Sequence, residues 1–507
     1  MSKRNVSVAI IGAGASGTIL AYQIIEKASK IPDVGVKVYL MEKDGNHGPG
    51  LAYSTPLYAH ILNMRADTLG IIEGDPLHFV KWLNEQDDII ASIKQVQGDV
   101  NYPPRHAYGI YLKTVLDVAV KKAGAASCSI ELISGEAVDV DQNGNGFSVI
   151  MADGGKIKAD NVVLAPGNFP GAFLNELKGT KGYIPYPWPL YVITETIPKD
   201  KPVCIMGAGL SAIDTLITLL ENGHREKITF LSRNGLLPKV QGPAFDYELK
   251  YVNRENIDRL LSESDENRLP FDLVKRLYMD EMEVAAGNKI NWLDVFNPQE
   301  SAAQILEKDI SRAEAGIIPY QAALTTSGPL TGYIWNSMSI DDRMRFDREY
   351  KTVWAVYRYP MPIINAKKIL RALKSGQLDI QQGRTHVKAG DKEGFEIDVI
   401  TRLGVPYVIK ADYIINATGQ ETDVTKFESA LIKRLIHKKL IIPHPNGGIH
   451  VDFNTSGVKA KAGDAITGLY ALGEITRGVH FFTNGIVPNM VSSDRIADSI
   501  LSITDNQ

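Results

Sequence analysis

Residues 204–220, CIMGAGLSAIDTLITLL, read as a β-strand that runs into a glycine turn and then a helix. Residues 9–20, AIIGAGASGTIL, have already offered the same device. In such a unit the glycines fall where the turn is tight, where the backbone approaches a pyrophosphate and where helix packs on strand. The helix that follows aims unbonded N–H groups and the positive end of its dipole at an anion. A chain with one dinucleotide needs one such unit. Two units predict two dinucleotides on two Rossmann-like α/β domains.

The first unit is VSVAIIGAGASG, with Gly12, Gly14 and Gly17 in GxGxxG spacing and Ala15 and Ser16 opening the helix. The strand VKVYLMEK follows and ends at Glu42, beside Lys43. A carboxylate there accepts hydrogen bonds from ribose hydroxyls and repels a 2′-phosphate, which favours FAD or NAD over NADP. The second unit reads GxGxxA, with Gly207, Gly209 and Ala212, and Leu210 and Ser211 begin its helix. Its next strand, KITFLSRNG, ends in Ser232 and Arg233 instead of an acid. A guanidinium fork suits a 2′-phosphate, so this half is expected to prefer NADPH. The plainer reading of Arg233 is a solvated loop charge.

The bulk properties bound the function. At 507 residues the chain is long enough for two or three domains. It is 44% hydrophobic and 22% charged with a net charge of −4, ordinary for a globular protein. A pI near 6.2 offers no basic field for nucleic acid. No apolar run reaches the roughly 18–20 residues that span a bilayer, and glycines interrupt the N-terminal apolar run too early for a signal peptide. The expectation is a cytoplasmic protein without membrane or nucleic-acid partners, and a homo-oligomer is open. Cys128 and Cys204 are the only cysteines, so no CxxC redox pair and no zinc cluster is expected, and Cys204 sits in an apolar strand.

Three further segments resemble parts of two-dinucleotide flavoproteins. ADYIINATGQETD (411–423) ends in an Ala-Thr-Gly turn at Thr418 and Gly419, of the kind that closes a flavin domain. NVVLAPGNFP (161–170) is its counterpart, with Pro166 in place of Thr and Gly167 retained. GLYALGEITRGVHFFTNGIVPNM (468–490) resembles the last flavin-binding segment, with Gly473 and Glu474 at the ribityl position and Asn484, Gly485 and Ile486 at a helix start. Asp464 in AGDA is the alternative acid, but it precedes the strand. The resulting scheme has an FAD domain over 1–190 and 411–507, and an NADPH domain over 191–410 with a helical insert at about 240–365.

GPGLAYST (48–55), HILNMRADTLGIIEGDPLHFVKWL (60–83), YPPRHAYGIYL (102–112), GLSAID (209–214), LSRNGLLP (231–238) and GLYALGEITRG together resemble the FAD/NAD(P)-binding family that includes the nitrosuccinate-forming L-aspartate N-monooxygenases. More distantly they resemble the ornithine and lysine N-hydroxylases, whose own segment pairs an Arg with a later Tyr, as Arg105 and Tyr111 are spaced here. The resemblance adds Gly50, Leu51, Asn63, Met64, Arg65, Arg105 and Val138 to the cofactor-binding set. It implies that NADPH reduces the flavin, that reduced flavin and O2 form a C4a-hydroperoxide, and that the amino group of a small amino acid or amine, aspartate-like at best guess, is N-hydroxylated. The cofactor carries that chemistry, so no catalytic triad is sought. Arg65, Arg105 and His106 are the catalytic candidates. Arg65 can anchor a substrate carboxylate, contact flavin phosphates or pair with Asp67, and His106 can titrate near the flavin or simply hold structure. Trp188, Trp335, Trp354 and Arg358 can shape a pocket, although core packing suits the tryptophans better.

Three rivals stay open. A Baeyer–Villiger or sulfur-oxidising monooxygenase would carry F-x-G-x-x-x-H, and FPGAFLN has Phe169 and Gly171 but Asn175 in the His position. A flavin reductase shares both cofactors, while its disulfide-reducing variety lacks the CxxC it needs. A nucleotide-sensing flavoprotein would bind both cofactors and catalyse nothing.

Overall fold

The computed structural model describes residues 4–502 apart from 73, 126, 145, 265, 297–299, 390–393 and 461–462. The chain divides into two compact units. Unit 1 runs to Tyr58 and resumes over Met64–Phe169 and from Glu421; unit 2 comprises Ala59–Asn63 and Pro170–Gln420.

In unit 1, β1 (Arg4–Ile11), α1 (Ala15–Ala28) and β2 (Val34–Glu42) form the first βαβ unit. Short helices α2 (Gly50–Tyr53), α3 (His78–Asn84) and α4 (Asp87–Val96) lead to the long α5 (Arg105–Ala125). Then come β3 (Ser129–Ser134), an antiparallel trio β4 (Ala137–Asn143), β5 (Gly146–Met151) and β6 (Lys156–Ala159), and β7 (Asn161–Leu164). After unit 2 the chain returns through α17 (Ala430–His437), β18 (Gly457–Lys459), β19 (Ala465–Ala471), the single turn α18 (Arg477–His480) and α19 (Ile486–Ser502). The sheet order is β18-β19-β7-β1-β2-β3, parallel except for β18. Period-2 alternation sorts β1 between two cores. Val6, Val8 and Ile10 pack with α1 and α19, and Ala9 and Ile11 pack with the β4–β6 trio and α17. A central strand buried on both faces reads as one apolar run.

Unit 2 repeats the plan. The two-residue strand β8 (Phe169–Pro170) lies where the chain crosses into it, followed by β9 (Tyr183–Ile184) and α6 (Tyr191–Thr196). The second fingerprint is β10 (Val203–Met206), α7 (Leu210–Glu221) and β11 (Ile228–Ser232). Helices α8 (Arg254–Ser262), α9 (Phe271–Ala286), α10 (Trp292–Phe296), α11 (Ala302–Glu314), α12 (Pro319–Thr326), α13 (Thr331–Ser337), α14 (Ile340–Glu349) and α15 (Lys351–Arg358) make the insert. Helix α16 (Ile363–Lys374) then leads back to the sheet through β12 (Leu378–Gln382), the antiparallel trio β13 (Arg384–Ala389), β14 (Phe395–Ile400) and β15 (Pro406–Ala411), and β16 (Tyr413–Asn416). The second return crossing falls at β17 (Gln420–Glu421). The parallel sheet is ordered β12-β11-β10-β16-β9. Val203 and Ile205 face α7, α11 and α16, while Cys204 and Met206 face the β13–β15 trio. Cys204 is fully buried, and burial pushes its thiol up to about 12.

The crossings differ from the sequence scheme, which put them near 190 and 410. The resemblance places residues 411–423 in the returning flavin domain, yet β16 pairs with β10, Cys204 opposite Ile414, inside the second sheet. A short apolar run such as Tyr-Ile-Ile-Asn suits either parallel sheet, and only long-range pairing decides between them.

One carboxylate gathers several donors of the loop that leaves β11 onto the insert. Glu281 on α9, 1% exposed, accepts from the Tyr247 hydroxyl at 2.6 Å and from the backbone N–H groups of Lys250 (3.0 Å), Tyr251 (2.7 Å) and Val252 (2.8 Å). Burial works to raise its pKa, but these donors hold it below the usual carboxylate value. Trp335 stacks edge-on against Phe346 and Trp354 against Tyr278, so both are packing residues of the insert.

Candidate dinucleotide sites

In unit 1 the turn after β1 is closed by backbone. A Cβ on Gly12, whose φ is +109°, would lie 2.0 Å from the Ala165 carbonyl oxygen at the end of β7. On Gly17 it would lie 1.9 Å from the Gly12 oxygen. Gly14 is the N-cap of α1, with no side-chain cap and no acid in the first turn, so the N–H groups at that helix end stay open to an anion. Gly50 folds over it: a Cβ on Gly14 would come within 3.3 Å of the Gly50 Cα. Ala15 and Ser16 form the first turn, as expected. Glu42 stands at the end of β2, where Oε2 accepts the Ala13 N–H at 3.0 Å and Oε1 the Lys43 N–H at 3.1 Å. It therefore buttresses the fingerprint turn, and each oxygen keeps a lone pair for a ribose hydroxyl.

The closing segment converges on the same helix end. A Cβ on Gly473 would lie 3.9 Å from Ser16 Oγ and 4.0 Å from Asn489 Oδ1 of α19. Glu474 is buried; its Oε2 accepts from Thr483 at 2.7 Å and its Oε1 lies 3.5 Å from Arg477. Asn484 and Gly485 immediately precede Ile486 at the start of α19. Pro166 and Gly167 follow β7, with open space over Gly167. Val138 lies on β4 and its carbonyl accepts from Arg434 at 3.4 Å. Leu51 and Met64 are 44% and 38% exposed, which leaves apolar surface for a ligand to cover. Asp464, the alternative acid, is exposed.

In unit 2 the same geometry recurs. A Cβ on Gly207 (φ +119°) would lie 2.5 Å from the Ala417 oxygen at the end of β16. Gly209 caps α7 with φ −84° and ψ −169°, close to the −72° and −167° of Gly14, again with no side-chain cap and no acid in the first turn. Leu210 and Ser211 open α7, and Ala212 is buried in the third-glycine position. Nothing lies within 4 Å of a Cβ on Gly209. Ala165-Pro166-Gly167 and Ala417-Thr418-Gly419 are thus equivalent turns, each closing its own sheet. Thr418 and Gly419 belong beside the second fingerprint, where Asn416 Oδ1 accepts the Thr418 hydroxyl at 2.7 Å and Asn416 Nδ2 donates to the Phe173 carbonyl at 3.0 Å. Ser232 Oγ accepts the Gly235 N–H at 3.0 Å, and Arg233 is exposed at the end of β11. Both cradles have the open helix end, close glycine approach and strand-end polar group that a dinucleotide requires.

The remaining candidates are scattered. Arg65 is held by Asp67 through Nε at 3.2 Å and Nη2 at 2.8 Å, the ion-pair alternative, while Asn63 falls in the segment that packs with unit 2. His106 lies with its ring 5.5 Å from that of Tyr58, and Arg105 starts α5. The Arg105–Tyr111 spacing does not bring a pair together: the Tyr111 hydroxyl bonds to His78 Nδ1 at 2.7 Å, within a cluster of Phe79, Trp82 and Tyr108. Six residues turn an α-helix through about 600°, roughly 120° short of two full turns, so Arg105 and Tyr111 leave α5 on different faces. Trp188 packs on the unit 2 core with its ring 6.4 Å from that of His60. Burial holds Arg358 below the usual guanidinium value. Among the described residues no helix is long and apolar enough to cross a membrane.

Residues 9–169, which carry the first fingerprint, match the family described as FAD-NAD(P)-binding. No curated protein sequence matches the chain. Among solved structures, ornithine hydroxylase from Pseudomonas aeruginosa is similar with a TM-score of 0.58 at 17% identity, over 98% of this chain and 99% of that one. Ornithine N-hydroxylase from Kutzneria sp. 744, with reduced FAD, NADP+ and L-ornithine, gives 0.59 at 14% over 99% and 100%. L-lysine 6-monooxygenase from Pseudomonas syringae gives 0.58 at 12% over 99% of both. The chain therefore has the two-dinucleotide fold of the ornithine and lysine hydroxylases, and its first fingerprint lies in a segment that matches the FAD-NAD(P)-binding family.

Proposed function

We propose that the protein is an FAD-dependent, NADPH-consuming monooxygenase that N-hydroxylates a small amino acid or amine. The observation that carries the cofactor assignment is the contrast between two similarly built strand–turn–helix cradles with opposite strand endings, Glu42 in one and Ser232–Arg233 in the other. A carboxylate recognises a ribose diol; a guanidinium recognises a 2′-phosphate. Bound flavin and nicotinamide would supply the redox and oxygen chemistry, while the chain's own residues bind, orient and shield. The end of α1, Glu42 and the Gly473–Ile486 segment would hold FAD. The end of α7, Thr418–Gly419 and Arg233 would hold NADPH. The fold likeness to hydroxylases that act on amino acids supports an amine acceptor, and the sequence resemblance favours an aspartate-like one.

The test is made on purified protein. It should carry a flavin band at about 450 nm, be reduced faster by NADPH than by NADH in stopped flow, and yield a hydroxylamine product from a panel of amino acids and amines. NADPH consumption that no amine accelerates, with peroxide as the sole product, would make it a flavin reductase. A flavoprotein that consumes no NADPH would be a sensor.

A further inference from the structure

At the end of β11 a second guanidinium meets the turn that carries Arg233. Arg402, 169 residues further along the chain, donates through Nη2 to Asn234 Oδ1 at 2.5 Å. Two backbone observations fix the same approach independently. The Gly383 N–H, just past β12, donates to the Ser232 carbonyl at 3.1 Å, and a Cβ on Gly383 would lie 2.6 Å from the Ile400 oxygen at the end of β14. The β14–β15 hairpin is therefore packed against the Ser232–Gly235 turn. Arg402 rides on a tightly made hairpin turn: Thr401 N–H donates to the Val405 oxygen, Gly404 N–H to the Thr401 oxygen and Val405 N–H to Thr401 Oγ1, each at 3.0 Å. Arg233 and Arg402 are both exposed.

From this juxtaposition we infer that Arg402 is a specificity-determining residue, which joins Arg233 in binding the 2′-phosphate of NADPH. The inference rests on the proposed assignment of unit 2 to that nucleotide. A phosphomonoester carries a charge of about −1.5 to −2 at neutral pH, more than one guanidinium balances. In parallel α/β sheets the adenosine ribose lies at the carboxyl end of the strand after the fingerprint helix, which here is Ser232 of β11. Asn234 accepts from Nη2 of the second fork there, and a guanidinium fork suits the oxygens of a phosphate. Arg402 lies on an exposed turn, so removing it should cost the ligand more than the fold.

The experiment is calorimetric titration of the purified holoprotein with adenosine 2′,5′-bisphosphate and with adenosine 5′-monophosphate. Wild type should bind the bisphosphate more tightly. Arg402→Ala should shrink that preference about ten-fold, the loss of one charge-assisted phosphate contact, and leave the monophosphate within about two-fold. Arg402→Lys should restore part of the preference, because a point charge replaces the fork. An unchanged preference in Arg402→Ala, or equal losses for both ligands with an unchanged melting temperature, would overturn the role of Arg402. If that variant melts earlier, Arg402→Gln, which keeps a donor for Asn234, decides by the same criterion. A wild type indifferent to the 2′-phosphate would fell the NADPH assignment itself and Arg402 with it.

Discussion

Gly207 and Gly209 stand two residues apart in one turn, and the structure predicts opposite consequences for the same substitution. A methyl group on Gly207 would sit 2.5 Å from the Ala417 carbonyl oxygen at a φ of +119°. That conformation costs an L-residue about 1–3 kcal/mol before the collision is counted. Gly207→Ala is therefore expected to lose more than about 3 kcal/mol of stability. Gly209 has extended backbone that alanine adopts freely, and nothing lies within 4 Å of its would-be Cβ. Exchanging glycine for alanine at an N-cap costs at most about 1 kcal/mol. In the proposed assignment, the emptiness that makes Gly209→Ala harmless to the fold is where a pyrophosphate would meet the end of α7. NADP+ affinity should fall at least about ten-fold, or ~1.4 kcal/mol. Urea unfolding and calorimetric titration of both variants separate the two effects. A Gly209→Ala protein that binds NADP+ as wild type does would refute the placement of the pyrophosphate at α7. A Gly207→Ala protein as stable as Gly209→Ala would refute the packing argument.

Gly14→Val should abolish flavin binding, read as the ratio of flavin to protein absorbance, because its side chain would fill the space under Gly50 that the proposed assignment gives to the pyrophosphate. Glu281→Gln should cost about 2–3 kcal/mol, since one of its carboxylate oxygens becomes a donor facing backbone N–H groups. The folded pKa of Glu281 is depressed, so its stabilising effect is full above the ordinary carboxylate value and is lost as pH falls through the folded one. Tryptophan-monitored unfolding between neutral and acidic pH should show that loss in wild type and less of it in Glu281→Gln. The Arg65–Asp67 pair is 30% and 39% exposed, so Arg65→Ala should change stability by less than about 1 kcal/mol. With full flavin content, a KM for the amine substrate raised about ten-fold would assign Arg65 to the substrate; an unchanged KM leaves it a surface ion pair.

Both fingerprints were legible because their chemistry is local: strand, turn, helix and strand-end residue fall within about 40 residues in each unit. The positions of Gly12, Gly14, Glu42, Gly207, Gly209 and Arg233 at the two turns and strand ends follow from spacing alone. What spacing could not supply was pairing. Tyr413–Asn416 has the composition of a buried strand, and no local feature says that its neighbour is β10 in unit 2 rather than a strand of unit 1. Thr418 and Gly419 followed it to the wrong sheet for the same reason. Arg402 and Glu281 carried no motif at all. An arginine in a hairpin turn and an acid in an amphipathic helix look like solvated charges until distant segments fold against them.

The division of the chain sets an order of assembly during synthesis. Unit 2 is almost continuous, apart from the short stretch Ala59–Asn63, so all its strands have been made once β16 emerges. Unit 1 has to wait. Its sheet pairs Val162 of β7 with Leu469 of β19, about 300 residues later, and α1 packs on α19 at the far end of the described chain. Until then the β7 edge is unpaired and the apolar stripe of α1 lacks its partner, the kind of surface that recruits chaperones or seeds aggregation. Chains truncated just after residue 420 should therefore be protease-sensitive in their N-terminal third while the later segment resists digestion.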